Sequence, residues 1–313
     1  MQKKKHKWWI AVLAAALVLP VAGSVLYVWM EPRASSRTAA SPANIDFMKN
    51  FSPSDYQTVQ MTRDEIYEGD LILVNQKNPY KADNKKLVRV YDEKNYAYKV
   101  KDKSVMMNEE VMPSLNRMME DFYHATGVKD VLLMSGFRSE EEQGKIFKQK
   151  VKKAGEEEAS KWAAQPGYSE HHTGYAADLS IYHDSGHSET FRGQGKYRWI
   201  NENCHRYGFI VRYYEDKTPQ TGIKYEPWHF RYIGVPHATL LTQRGFCLEE
   251  YIAYLKVYAF DQEHLIIGAE NGKKYEVYYV PATGDVTNVP VPKSRSYTVS
   301  GDNMEGFIVT SEI

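Results

Sequence analysis

At 313 residues the chain has room for one catalytic domain with appendages. Its 40 basic and 40 acidic side chains cancel, which excludes a global field drawing it to nucleic acid. Its two cysteines, Cys204 and Cys247, form no Cys-x-x-Cys pair, which excludes a thiolate zinc cluster and a thioredoxin-like motif.

The N-terminus has the pattern of a membrane anchor. Lys3, Lys4, Lys5 and Lys7 precede an uncharged apolar run over residues 8–30. At about 1.5 Å per residue that run spans the roughly 30 Å of bilayer hydrocarbon. Lysines on its near side keep that end cytoplasmic and predict a single-pass protein of the cell membrane with its bulk outside. Trp8, Trp9, Tyr27 and Trp29 stand at the two ends of the run, where interfacial aromatics belong. A cleaved signal peptide ending near Ala22 is the competing reading, but the apolar run continues well past that point. Residues 31–68 begin small, polar and proline-punctuated (EPRASSRTAASP) and read as a stalk or linker, with a short ordered piece near Asp64.

Residues 69–255 read as the catalytic domain. An apolar run at 71–74 (LILV) predicts its first strand. Over 108–126, Val111, Leu115, Met118 and Phe122 recur at helical steps, and Gly127 is a stop; the methionines there read as core. Residues 131–134 predict a buried strand. Ser139 with Glu142 forms a capping box that opens a helix. The charged stretch at 150–161 reads as a solvated helix face. A second amphipathic helix spans 197–207, followed by strands at 209–213 and 225–233 across a turn, and a short helix at 248–255. Beyond it, residues 256–313 alternate as short strands, a small β appendage that would be marginal alone. These elements predict an α+β fold, a small antiparallel sheet packed by helices.

The chemistry concentrates in residues 165–180, QPGYSEHHTGYAADLS. His171 and Asp178 lie seven positions apart around Gly174, and a hairpin near that glycine brings their heads together. His172 then points to the opposite side of the strand. His229, in the run Glu226, Pro227, Trp228, His229, is a candidate third ligand. Two nitrogens and one oxygen suit zinc with one position left open. An isolated histidine is usually surface or core; the combination of both segments is far more specific than either. Glu226 beside such a site is a candidate proton carrier. Arg138, directly after the 131–134 strand, can grip a carboxylate or an oxyanion. His183 and His187 sit in a polar loop and read as solvated surface.

Three segments together carry a resemblance: SGFRS with Gln143 five residues after Arg138, then GYSEHHTGYAADLS, then RYYEDKTPQTGIKYEPWHFRYIGVPH. They resemble the VanY-type zinc D,D-carboxypeptidases of bacterial cell walls, over residues 71–255, with the anchor and the C-terminal strands also similar. The resemblance implies a D-Ala-D-Ala peptidase-like (Hedgehog-like) α+β fold and one zinc ion per chain. It implies His171, Asp178 and His229 as ligands, Glu226 as catalytic base and Arg138 as the anion contact. Gln143, Ser169 and Tyr213 then line a pocket for the terminal D-alanine, with Trp228 as a wall. The implied partners are peptidoglycan precursors ending in D-Ala-D-Ala, and the implied context is glycopeptide (vancomycin) resistance. An L,D-carboxypeptidase, a dipeptidase and a non-catalytic peptidoglycan-binding module share parts of this constellation. The presence of all four metal-site residues speaks against the last.

Overall fold

The structure is a computed structural model, described for residues 45–49, 51–82, 86–270 and 272–313. The anchor expected at residues 8–30 and the first part of the stalk lie outside the described residues. Among the described residues no helix is long and apolar enough to cross a membrane.

A sheet of six strands positions everything else. Its spatial order is Lys99–Val100, Val131–Ser135, Ala176–Tyr182, Glu226–Tyr232, Phe209–Tyr213, with Ser188–Thr190 also paired to Ala176–Tyr182. The pairs are antiparallel except the first, so the expected antiparallel sheet carries one parallel edge. One face is apolar: Val131, Leu133, Ala177, Leu179, Val211 and Phe230 belong to one core with the helix Met112–Thr126. That helix starts with proline in its first turn, where the ring costs nothing, and ends on Gly127 in the left-handed region. Its methionines are core, as their spacing predicts. Each such side chain contributes about 1.5–3 kcal/mol on burial. The capping box of Ser139 and Glu142 opens the helix Glu140–Ala154. The 197–207 helix is shorter than expected, a helix over Arg198–Asn203 between two single 3-10 turns.

The opposite sheet face holds the polar residues treated below, and its far end packs on the C-terminal strands. His264–Gly268, Lys274–Pro281, Gly306–Glu312 and Tyr297–Gly301 form an antiparallel sheet whose outer strand is Ile45–Met48. Tyr56–Thr62 pairs along its whole length with Val286–Pro292. Much of the segment expected as linker is therefore ordered. Of its two strands, Ile45–Met48 and Tyr56–Thr62, only Tyr56 is buried, so no alternating apolar face marks them in the sequence. Residues 71–74 are buried but are not a strand. Their backbone is satisfied by the 300–303 loop, with Leu71 N donating to Ser300 Oγ and Leu73 N to the Asp302 carbonyl. The boundary expected at residue 255 is not a break in packing, because Leu71, Ile210, Ile252, Leu265, Val277 and Ile308 share one core. Cys204 and Cys247 are free and buried.

Candidate active site

Two strands and one turn bring the expected metal-binding side chains together. Asp178 and His229 are direct partners in the register of Ala176–Tyr182 with Glu226–Tyr232. His171 comes from a 3-10 turn, Glu170–Thr173, rather than from the hairpin expected around Gly174. Gly174 closes that turn at φ 76°, and a Cβ there would stand 2.8 Å from Leu87 Cδ2. The left-handed φ is what favours glycine here, and the Asn108 backbone nitrogen, 3.0 Å from such a Cβ, adds to it. In a turn of this kind adjacent side chains diverge. The ring of His172 lies between the Arg138 carbonyl, 2.8 Å from Nδ1, and the Gly167 N–H, which donates to Nε2 at 3.1 Å.

His171 Nε2 is 3.0 Å from Asp178 Oδ2, and His229 Nδ1 is 2.8 Å from Asp178 Oδ1. One ligand atom from each of the three lies within 4.8 Å of the others. Donors at roughly 2.0–2.2 Å from one tetrahedral ion stand about 3.3–3.6 Å apart, a spacing these side chains reach with small shifts, so the trio fits zinc. The outer nitrogens are also assigned. His171 Nδ1–H donates to the Gly136 carbonyl at 2.6 Å, which leaves Nε2 free to ligate. A side chain at Gly136 would collide with the Met106 carbonyl, at 2.2 Å. His229 Nε2 faces Glu170 Oε2 at 3.5 Å.

Glu170 is a site residue that the sequence reading missed. It is buried, and its Oε1 accepts from Arg212 Nε at 2.8 Å and Arg231 Nη1 at 3.0 Å. Arg212 in turn makes a two-pronged pair with Glu249, at 2.9 and 2.7 Å. Burial pushes the Glu170 carboxyl up, but the two guanidinium groups outweigh it and hold it below the usual carboxylate range. Burial likewise raises Asp178, and the two imidazoles overcome it and keep that carboxylate ionised. The signal for Glu170 lay in Arg212 and Arg231, each interrupting an apolar strand. A buried arginine in such a place needs a carboxylate opposite it.

Glu226 begins its strand at a bulge in the pairing with Phe209–Tyr213, opposite Tyr213. Burial raises its pKa to about 7; the nearby charge of His229 lowers it and that of Asp178 raises it. Arg138 is fixed by three acceptors: Gln143 Oε1 at 2.7 Å, Ser135 Oγ at 3.0 Å and Asp178 Oδ2 at 3.3 Å. The Gln143 amide donates at its other end to the Ala164 carbonyl at 2.6 Å. Ser169 caps the His171 turn, and the Tyr213 ring lies 5.1 Å from that of His229.

Every residue the sequence assigns to the site borders one cavity of about 160 Å³: Arg138, Gln143, Ser169, His171, Asp178, Tyr213, Glu226, Trp228 and His229. The charged stretch expected to be a solvated face contributes Lys150 to the same cavity, and Trp162 follows directly after it. Lys224 Nζ lies 4.9 Å over the Trp162 ring and ties this wall down.

A metal trio built from two strands and one turn, with a carboxyl and a guanidinium sharing its cavity, defines a metallopeptidase. Residues 104–235 match the VanY family, described as D-alanyl-D-alanine carboxypeptidase. The chain is 37% identical over 259 residues to the D-alanyl-D-alanine carboxypeptidase of Enterococcus faecium, a match covering 81% of this chain and 78% of that one. Among solved structures it resembles the vancomycin-resistance D,D-dipeptidase VanXYg in complex with a D-Ala-D-Ala phosphinate analogue. That likeness has a TM-score of 0.74 and 34% identity, and covers 82% of this chain and 99% of the other. It also resembles VanYB in complex with D-alanine-D-alanine, at a TM-score of 0.50 and 36% identity, over 59% and 98% of the two chains. The chain belongs to the VanY family of D-alanyl-D-alanine carboxypeptidases.

Proposed function

We propose that this chain is a zinc D,D-carboxypeptidase that removes the last D-alanine from peptidoglycan precursors ending in D-Ala-D-Ala, shortening a pentapeptide stem to a tetrapeptide. The observation that carries the reading is geometric: Glu226, a buried carboxyl, shares one cavity with the metal trio and Arg138. Burial pushes the Glu226 pKa up, which makes it a better proton acceptor than an exposed carboxylate and lets it return the proton.

Zinc held by His171, Asp178 and His229 supplies Lewis acidity to the reacting carbonyl. Glu226 takes a proton from the attacking water onto its carboxyl oxygen and delivers it to the departing amine nitrogen. Arg138, oriented by Gln143 and Ser135, stabilises the oxyanion as charge develops. Ser169, Tyr213 and Trp228 border the space for the terminal D-alanine. Losing that residue removes the dipeptide that glycopeptides such as vancomycin recognise, which is the benefit to the cell. Residues 8–30 anchor the chain in the cell membrane, with the catalytic domain outside.

The test is product identification with UDP-MurNAc-pentapeptide. Free D-alanine and the tetrapeptide are expected, and a chelator should abolish both. Glu226→Gln should retain zinc and lose most turnover; a wild-type rate in that variant removes Glu226 from its role. Cleavage of the tetrapeptide in preference to the pentapeptide replaces the D,D assignment with an L,D one.

A further inference from the structure

The sheet face that carries Asp178 and His229 continues beyond the cavity. Along Ala176–Tyr182, residues Asp178, Ser180 and Tyr182 share one side, because strand residues alternate. The register extends this face to the sheet edge: Ser180 lies opposite Leu132, and Leu132 opposite Lys99. There a second, open groove of about 570 Å³ is bordered by Tyr91, Lys94, Lys99, Lys101, Met134 and Tyr182. None of the described residues that border it is acidic. Lys99 Nζ stands 4.3 Å over the Tyr182 ring, so cation and aromatic face are presented together. Tyr91 is 50% exposed.

The spacing between groove and trio matches the substrate. From Asp178 to Tyr182 is four strand residues, about 13 Å at about 3.3 Å each. In a pentapeptide stem the scissile bond follows the fourth residue, and four extended residues also span about 13–14 Å. A stem that reacts at the trio and lies along this face brings its sugar-bearing end to the groove. What lies beyond that end in a precursor is a muramyl sugar and a diphosphate. Three lysines with no carboxylate among them suit the phosphates.

We propose that the Lys94/Lys99/Lys101 groove binds the muramyl-diphosphate end of the precursor while the D-Ala-D-Ala end occupies the metal cavity. This rests on the carboxypeptidase reading above. The groove makes the enzyme selective for carrier-linked precursors over free stem peptides. Nucleotide-linked and lipid-linked precursors share the diphosphate, and both belong in the test.

The double variant Lys99→Gln/Lys101→Gln is compared with the wild type on four substrates. These are UDP-MurNAc-pentapeptide, the lipid-linked precursor in micelles, phosphate-free MurNAc-pentapeptide, and diacetyl-Lys-D-Ala-D-Ala. The expected result is a fall of about tenfold in kcat/KM, carried by KM, on the diphosphate substrates, the equivalent of about 1.4 kcal/mol. The other two substrates should be unaffected. The diphosphate substrate that loses more identifies the carrier that the groove takes. An equal change on all four, or none on any, overturns the proposal. D-alanine release from the tripeptide by the wild type reports on the carboxypeptidase reading independently, since that substrate does not reach the groove.

Discussion

Asp178 and His229 face each other across two antiparallel strands, with Oδ1 2.8 Å from Nδ1. The metal trio is thus built largely into sheet register, and only His171 depends on a turn. A site so rigidly preset binds its ion in the folded state and not in the unfolded one, so the ion stabilises the fold. At free zinc about a hundredfold above Kd this amounts to about 2.7 kcal/mol. We expect a chelator to abolish D-alanine release and to lower the melting temperature by several degrees, both restored by zinc. Calorimetry with and without chelator checks the second; an unchanged Tm would mean the trio holds no ion.

Glu170 fixes the far side of His229. A metal on Nδ1 leaves the ring proton on Nε2, which faces the Glu170 carboxylate. Glu170→Gln keeps the shape and removes the charge. We expect zinc affinity to fall roughly 10–100-fold, the usual effect of losing such a partner. Stability should fall as well, because Arg212 and Arg231 lose their shared anion, on the order of 3–5 kcal/mol for a broken buried pair. Chelator competition separates the two effects. Reduced stability with unchanged zinc affinity would make Glu170 a structural residue only.

Glu226 makes the pH dependence predictable in sign. Its folded pKa of about 7 exceeds the ordinary value of 4.5 because the carboxyl is buried. As a base it must be ionised, so kcat/KM should rise with pH on an acid limb; bound zinc, being cationic, moves that limb below 7. The same shift penalises the metal-free fold. Below about pH 4.5 both states are protonated and nothing is lost. As pH climbs toward 7 the unfolded chain ionises first, and the fold loses on the order of 3 kcal/mol. Metal-free Glu226→Gln should therefore be more stable than the wild type at pH 8 and no more stable at pH 4. Denaturant melts at the two pH values decide it; equal stabilities at pH 8 would contradict the burial argument.

The site was far more legible in the sequence than the domain plan. His171, Asp178, Glu226 and His229 sit in short segments whose residue types have few other uses together, so chemistry exposed them. Glu170 stayed hidden because its role depends on Arg212 and Arg231, which are distant in the chain and meet it only after the sheet forms. The turn at Gly174 has the same sequence signature as a hairpin because a left-handed glycine serves both. Tyr56–Thr62 reads as linker because an edge strand with one buried residue has no apolar pattern to read. Its partner, Val286–Pro292, lies more than two hundred residues away.

The C-terminal strands look like an appendage in the sequence, but their packing makes them part of the core. Leu265, Ile267, Val277, Tyr279 and Ile308 are nearly fully buried and share a core with Leu71, Ile210, Leu240 and Ile252 of the catalytic part. At about 1.5–3 kcal/mol each, those five side chains contribute roughly 7–15 kcal/mol, an upper figure. That is the size of a whole domain's net stability, about 5–15 kcal/mol. The loss also strips partners from Ile45–Met48 and Tyr56–Thr62. A chain ending at Leu255 should therefore lack cooperative unfolding and bind hydrophobic dyes, even though every metal-binding residue is retained. Near-UV circular dichroism and a thermal melt check this; a sharp transition at the full-length temperature would show that the two parts stand alone.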